Sequence, residues 1–337
     1  MGLMAKPTIV FGMLDGMVEH LFTADQLARL AAVGEILDPL PFSSFDDDRA
    51  AAALAHAEIL VGHWGCPTLT PEVMALAPRL ALFAYGAGTV KWQVTDAVWA
   101  HGVVVTSAAA ANAVPVADYA VGAILLANKG VFLVREMVRT PGAKVPLNLS
   151  KVGNCGARVG IVGASFVGRM VIERLRDTDL VISVYDPYLT AADAAAMGVT
   201  KVEDLDELCA SVDLLSIHAP DIPATRGMIG VAQLARLHDG VTVLNTARPA
   251  LIDQDALLAE LIAGRLAAVL DVTEPDPLPA GHSLLALPNA FITPHVAGAM
   301  GNELVRLSEL AVQEVERFVA GEPPRYPVRA DDLDRIA

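Results

Sequence analysis

The run Val159-Gly160-Ile161-Val162, followed by Gly163-Ala164-Ser165-Phe166-Val167-Gly168, constrains the fold more than any other part of this 337-residue chain. The apolar residues fit a buried strand, the flanking glycines fit a tight turn, and a helical pattern follows from Arg169. A strand that passes directly into a helix returns to a parallel neighbour by a crossover, so the run implies an α/β sheet. Its spacing is also that of a dinucleotide-binding turn, in which the helix start offers free N–H groups and a positive dipole to a pyrophosphate. Ser165 stands where the middle glycine is usual, which weakens the motif on its own. Asp186 strengthens it: it ends the next strand, about 20 residues on, where a ribose-binding carboxylate belongs.

The rest of the chain alternates in the same way. Strand patterns lie at Thr8–Phe11, Glu35–Leu37, Ile59–Val61, Ala81–Tyr85 and Val103–Thr106, and a second series follows at Val159–Val162, Leu180–Val184, Leu214–Ile217, Val241–Leu244, Ala267–Leu270 and Phe291–Thr293. Helices are expected between them, among them Ala24–Ala32 and Pro71–Leu76, the latter with Thr70 as N-cap and Pro71 at the first helical position. Val114–Lys129 is apolar on most faces and reads as a buried connecting helix, and Thr140–Cys155 reads as an extended arm. Asn302–Val319 carries Leu304, Leu307, Ala311, Val315 and Phe318 on one helical stripe. Two α/β series in 337 residues predict two domains with parallel sheets.

Composition narrows the function. A net charge of −15, from 39 acidic and 24 basic residues, opposes binding to nucleic acid or an anionic membrane. No apolar run of about 18 residues is read as a bilayer span, and no basic region or cleavage pattern opens the chain, so neither a membrane anchor nor a signal peptide is expected. Met1-Gly2 is followed by Lys6 where a myristoylation signal has Ser or Thr. Cys66, Cys155 and Cys209 are odd in number and widely spaced, which suggests no disulfide framework, no metal site and a reducing cytoplasm.

Three runs place a chemically capable side chain just past a short apolar strand. They are Asn245-Thr246-Ala247-Arg248, Leu270-Asp271-Val272-Thr273-Glu274-Pro275 and Thr293-Pro294-His295-Val296-Ala297-Gly298. A guanidinium can bind a carboxylate and polarise an adjacent carbonyl, and a histidine can move a proton near neutral pH. Any one of these residues alone is more often a strand-end cap, a solvated carboxylate or a packed histidine. All three, in order behind a dinucleotide turn, point to a redox enzyme acting on an acid.

These runs, with Tyr85-Gly86-Ala87-Gly88, Asn112 through Tyr119, Asp186-Pro187, His218-Ala219-Pro220 and the closing Glu316–Pro323, resemble the D-isomer-specific 2-hydroxyacid dehydrogenase family over nearly the whole chain. The resemblance implies two Rossmann-like domains, one flavodoxin-like and one dinucleotide-binding. The cofactor domain, 112–296, is inserted into a substrate domain made of 1–111 and 297–337. It implies NAD as cofactor, and a homodimer through the cofactor domain with Val131–Cys155 as a swapped arm. It also implies reduction of a small 2-oxo acid to its D-2-hydroxy acid. Arg248 would bind substrate, and His295 would act as the acid/base. Glu274 would accept a hydrogen bond from the second ring nitrogen of His295, favouring the imidazolium.

Cofactor contacts are expected from Gly163, Ser165, Phe166, Val167 and Gly168, from Asp186, and from His218, Ala219 and Pro220. Further contacts are expected from Thr246, Ala247 and Arg248, and from His295, Ala297 and Gly298, with Asp271 meeting the nicotinamide carboxamide. The Ser165 hydroxyl would bond a phosphate oxygen, and Pro249, where the family usually has glycine, would alter the loop but spare the guanidinium. Substrate contacts are expected from Trp64, Gly86, Ala87 and Gly88 besides Arg248 and His295. Asp186 would repel a 2′-phosphate and so favour NADH. Phe83, Ala84 and Tyr85 before the glycine loop offer no cation, which favours unphosphorylated acids, although Lys91 is near. The rival readings are a phosphoglycerate dehydrogenase and a cofactor-sensing corepressor on the same fold.

Overall fold

The computed structural model describes residues 6–135, 152–333 and 335–336. The chain divides into two compact units, Met1–Asn112 with Ala299–Ala337, and Ala113–Gly298. The sequence reading set these divisions at 111/112 and 296/297. Most of the expected arm, Val131–Cys155, falls outside the described residues; Val131–Val134 within it is helical.

The first unit contains strands β1 (Thr8–Gly12), β2 (Glu35–Ile36), β3 (Ile59–Gly62), β4 (Leu82–Tyr85) and β5 (Val104–Ser107). The second contains β6 (Arg158–Val162), β7 (Val181–Tyr185), β8 (Thr200–Lys201), β9 (Leu214–Ile217), β10 (Thr242–Asn245), β11 (Ala267–Leu270) and β12 (Ala290–Ile292). The chain then returns to the first unit with β13 (Pro327–Val328). The first sheet has the order β13-β5-β4-β3-β1-β2 and the second β12-β11-β10-β9-β6-β7-β8. Every pairing is parallel except that of β13 with β5. These are doubly wound α/β sheets, as the alternating pattern implied.

Alternation along the strands builds a core on each face. In β1, Ile9 and Phe11 join Val61 and Leu82 on one side, while Val10 joins Leu60 and Phe83 on the other. The amphipathic helix begins at Leu304, after a short 3₁₀ turn Gly301–Glu303, and buries Leu307, Ala311 and Val315 against the Ile9 face. Arg29 joins it to the helix Ala24–Val33 through Glu309 at 2.8 Å and Glu316 at 2.7 Å. Thr70 caps Pro71–Leu76 as predicted, its hydroxyl accepting from the Val73 N–H. β8 and β13 were not anticipated: Thr200-Lys201 has no apolar residue, and Pro327 supplies no N–H to a strand.

The connecting helix is longer than predicted, Ala109–Asn128, and contains Pro115. At that length, with a mean hydropathy of 1.5, it is long and apolar enough to cross a membrane, so the expectation that no such run exists is corrected. Pro115 supplies no N–H to the helical ladder, and the helix continues through it. In the second unit its Ala117, Ala120 and Ile124 pack on Val159, Ile161 and Leu214.

Candidate active site

The carboxyl ends of the second sheet gather the candidate residues. β6 lies between β7 and β9, so strand order reverses beside it, and ligands of such sheets bind outside that point. Gly163 follows β6 with φ 97°, and a Cβ on it would sit 2.7 Å from the Ala219 backbone. A Cβ on Gly168 would sit 2.0 Å from the Gly163 carbonyl oxygen. Only glycine fits either position. The helix Phe166–Leu175 starts here, and the N–H groups of Phe166 and Val167 in its first turn have no intrahelical acceptor.

Ser165 makes two hydrogen bonds within the protein. Its hydroxyl donates to the His218 carbonyl at 2.8 Å and accepts from the Gly168 N–H at 3.3 Å, as the N-cap of that helix. The proton expected to meet a phosphate is committed within the protein. Asp186 accepts from the N–H groups of Ala164 and Tyr188, both at 2.7 Å, one on each oxygen. Each oxygen keeps a lone pair, and the side chain is half-buried.

His218 is 4% exposed, with Nε2 2.8 Å from Ser216 Oγ, and burial pushes its pKa down to about 3. Such a ring stays neutral near neutral pH and takes no part in proton transfer. Thr246 is buried, and its hydroxyl has no partner among the described residues.

The next three strands end in register: Asn245 of β10 pairs with Leu270 of β11, and Leu270 with Ile292 of β12. Arg248, Asp271 and His295 therefore follow adjacent strand ends. The Asn245 side chain ties the first loop, accepting from Ala247 N–H at 3.0 Å and donating to the Arg248 carbonyl at 2.9 Å. Arg248 Nη1 donates to the Ala247 carbonyl at 2.7 Å. Burial lowers the pKa of Arg248, opposed by the charge of Asp221, but a guanidinium remains a cation. Pro249 opens a 3₁₀ turn with Arg248 as its N-cap, a place where a missing N–H costs nothing.

His295 has a left-handed backbone, φ 57°, and its N–H donates to the Asp271 and Thr293 carbonyls, each at 3.0 Å. Asp271, 1% exposed, holds this turn. Its carboxylate accepts from Thr293 Oγ1 at 2.6 Å, Val296 N–H at 2.8 Å and Ala297 N–H at 2.8 Å. Because Thr293 gives its proton to Asp271, it must accept from the Tyr119 hydroxyl, 2.7 Å away. Asp271 was expected to meet the cofactor; its carboxylate also holds the His295 turn through these three hydrogen bonds, one of them from the Ala297 N–H.

The expected pairing of His295 with Glu274 is not formed. His295 Nδ1 lies 3.1 Å from Asp276 Oδ2. Glu274 uses its main chain only, bonding both ways with the Gln254 amide, and its carboxylate has no hydrogen bond or ion pair among the described residues. A carboxylate accepts, so Nδ1 carries the proton and Nε2 is the nitrogen open to proton transfer.

The first unit carries the remaining predicted positions. Trp64 is partly exposed, packs edge-on to His63 with centroids 4.7 Å apart, and donates its backbone N–H to His63 Nδ1 at 2.8 Å. His63 is fully buried, which pushes its pKa down to about 3. Gly86 donates to the Gly62 carbonyl at 2.7 Å, and Ser107 Oγ donates to the Ala87 and Gly88 carbonyls. Burial raises the pKa of Cys66, consistent with no nucleophilic role. No group of three or more metal-binding side chains occurs among the described residues.

Residues 121–297 match the D-isomer specific 2-hydroxyacid dehydrogenase, NAD binding domain. The chain belongs to this family. It is similar to a D-3-phosphoglycerate dehydrogenase of Mycobacterium tuberculosis, 30% identical over 302 residues, covering 89% of this chain but only 56% of that protein. The chain thus spans little more than half the length of that relative. A glyoxylate reductase of Thermofilum pendens is 30% identical over 267 residues, covering 78% of each chain. Among solved structures, a 2-hydroxyacid dehydrogenase from Ketogulonicigenium vulgare superposes with a TM-score of 0.76 at 25% identity, covering 97% of this chain and 99% of that one.

The cofactor of this family's domain is NAD(H). The residues present fit it: the two glycines leave room that a Cβ would fill, two helix-start N–H groups lack an intrahelical acceptor, and Asp186 has free lone pairs.

Proposed function

We propose that the chain interconverts a small, unphosphorylated 2-oxo acid and its D-2-hydroxy acid. NAD(H), when bound, supplies or accepts the hydride at C2. Arg248 binds the substrate carboxylate and polarises the carbonyl, and His295 Nε2 gives a proton to the C2 oxygen in reduction and takes it back in oxidation. Asp276, in place of the expected Glu274, holds the ring through Nδ1. The observation that carries this reading is the 3.1 Å contact between His295 Nδ1 and Asp276, which leaves Nε2 as the working nitrogen.

Asp186 favours NADH, since a 2′-phosphate would meet a carboxylate held by two backbone N–H groups. Thr246, Ala247, His218, Ala219, Pro220 and Gly298 border the cofactor in this proposal, and Trp64 and the Gly86–Gly88 loop take part in substrate selection. Exposed Leu126 before the expected arm, and exposed Val131, Leu133 and Val152 within it, support a homodimer through the second unit. Three free cysteines support a reducing, cytoplasmic setting.

The test is oxidation of NADH and NADPH with glyoxylate, hydroxypyruvate, pyruvate, branched 2-oxo acids and 3-phosphohydroxypyruvate. Turnover of an unphosphorylated acid with NADH supports the reading. A tenfold preference for the phosphorylated acid would assign a phosphoglycerate-type enzyme, and NADH binding without turnover of any acid would assign a sensor.

A further inference from the structure

We infer that Gln254 is a positioning residue for the acid–base pair, because its side chain fixes the loop that presents Asp276 to His295. The inference rests on the proposed role of that pair.

Gln254 opens the helix Gln254–Ile262, whose N-cap is Asp253. A residue in a first helical turn has no preceding turn beneath it, so its side chain is free to reach outside the helix. The Gln254 amide spends both its polar atoms on one peptide unit pair. Nε2 donates to the Glu274 carbonyl at 2.5 Å, and Oε1 accepts from the Glu274 N–H at 2.9 Å. One planar side chain thus makes the two-way pairing that a neighbouring strand would otherwise make.

The loop needs such a clamp. Pro275, Pro277 and Pro279 contribute no N–H, so the main chain has few donors with which to hold itself. Thr273 Oγ1 donates to the Pro275 carbonyl at 3.0 Å, which shapes the segment from within but ties it to nothing beyond. Asp276 stands two residues after the clamp. Its side chain is 40% exposed and that of His295 54%, and a contact so open to water holds its own geometry poorly. The register of Asp276 against the ring therefore comes from Gln254.

The experiment measures kcat and KM for the best 2-oxo acid at saturating NADH in the full chain, in Gln254→Leu, Asp276→Asn and the double variant. Gln254→Leu shortens the side chain by one atom and removes both hydrogen bonds. It should lower kcat by about tenfold, as loss of a positioning contact does, with KM little changed because Arg248 still binds the acid. In the Asp276→Asn background the same substitution should cost less than twofold, since the group it positions is already disabled. Gln254→Glu, which still accepts from the Glu274 N–H but cannot donate to its carbonyl, should fall between wild type and Gln254→Leu, and covers the case in which the leucine variant folds poorly. If Asp276→Asn is impaired and Gln254→Leu costs the same in both backgrounds, the positioning role is overturned while the pair stands. If Asp276→Asn keeps full kcat, the pair itself fails and the inference with it.

Discussion

Asp271 and Asp276 both bear on His295, from opposite environments. Asp271 is buried, accepts three hydrogen bonds, and fixes the backbone around the histidine. Asp276 is exposed and meets the ring through one contact. The difference separates two jobs that carboxylates near a catalytic histidine can do. A buried carboxylate with every donor satisfied makes a rigid turn, because leaving any of those donors unmet in the interior is costly. An exposed one adds little to stability and is free to serve the ring. Histidines divide in the same way: His63 and His218 are buried and held neutral, whereas His295 is open to water.

The largest effect should come from the exposed member. His295→Ala is expected to lower kcat by roughly 10²–10⁴-fold, the range for a lost general acid, with the melting temperature unchanged. Steady-state kinetics and thermal unfolding of one preparation check both halves; a variant that unfolds would blur the division between the two environments.

Asp271→Ala should show the reverse emphasis. It strands the Thr293 hydroxyl and the Val296 and Ala297 N–H groups, and should destabilise the protein by about 2–4 kcal/mol, read from denaturant unfolding. Native stability in this variant would show that the turn holds itself.

The buried histidines predict a pH signature. His218 has a folded pKa of about 3 against an ordinary 6.5. Below 6.5 the unfolded chain binds a proton that the folded chain does not, so this contribution is complete above 6.5 and lost as pH falls from 6.5 towards 3. The slope is about 1.4 kcal/mol per pH unit for one such group. Removing the group in His218→Gln should lessen the slope across that window by about 1.4 kcal/mol per pH unit, leaving the share of His63, and an unaltered slope would argue against the neutral buried ring.

Tyr119→Phe probes the far end of the Asp271 chain. It removes one donor to Thr293 while Thr293 still reaches Asp271, so a loss of about 1 kcal/mol is expected. A loss as large as that of Asp271→Ala would mean that the tyrosine, and not the carboxylate, anchors the turn.

Much of this was readable in the sequence, for a physical reason. Strands such as Leu214–Ile217 and Ala267–Leu270 are short apolar runs buried on both faces, and they occur where the pattern placed them. Arg248, Asp271 and His295 follow register-matched strand ends, so strand position alone located them. What the sequence did not show lies where burial or direction decides. Glu274 and Asp276 alternate with prolines in one extended loop, and spacing does not say which carboxylate meets the ring. Nothing in the sequence neighbours of Asp271 revealed its three internal donors. Ser165 looked free for a phosphate because its bond to the His218 carbonyl spans 53 residues of sequence.

The central claim is that Asp276, and not Glu274, is the carboxylate that serves His295. The direct measurement is kcat/KM for 2-oxo acid reduction in Asp276→Asn and Glu274→Gln, side by side with wild type. Removing the partner of a catalytic histidine should cost roughly tenfold or more in Asp276→Asn, while Glu274→Gln, whose carboxylate touches nothing among the described residues, should stay within about twofold. The opposite order, with Glu274→Gln the damaged variant and Asp276→Asn close to wild type, would contradict the account.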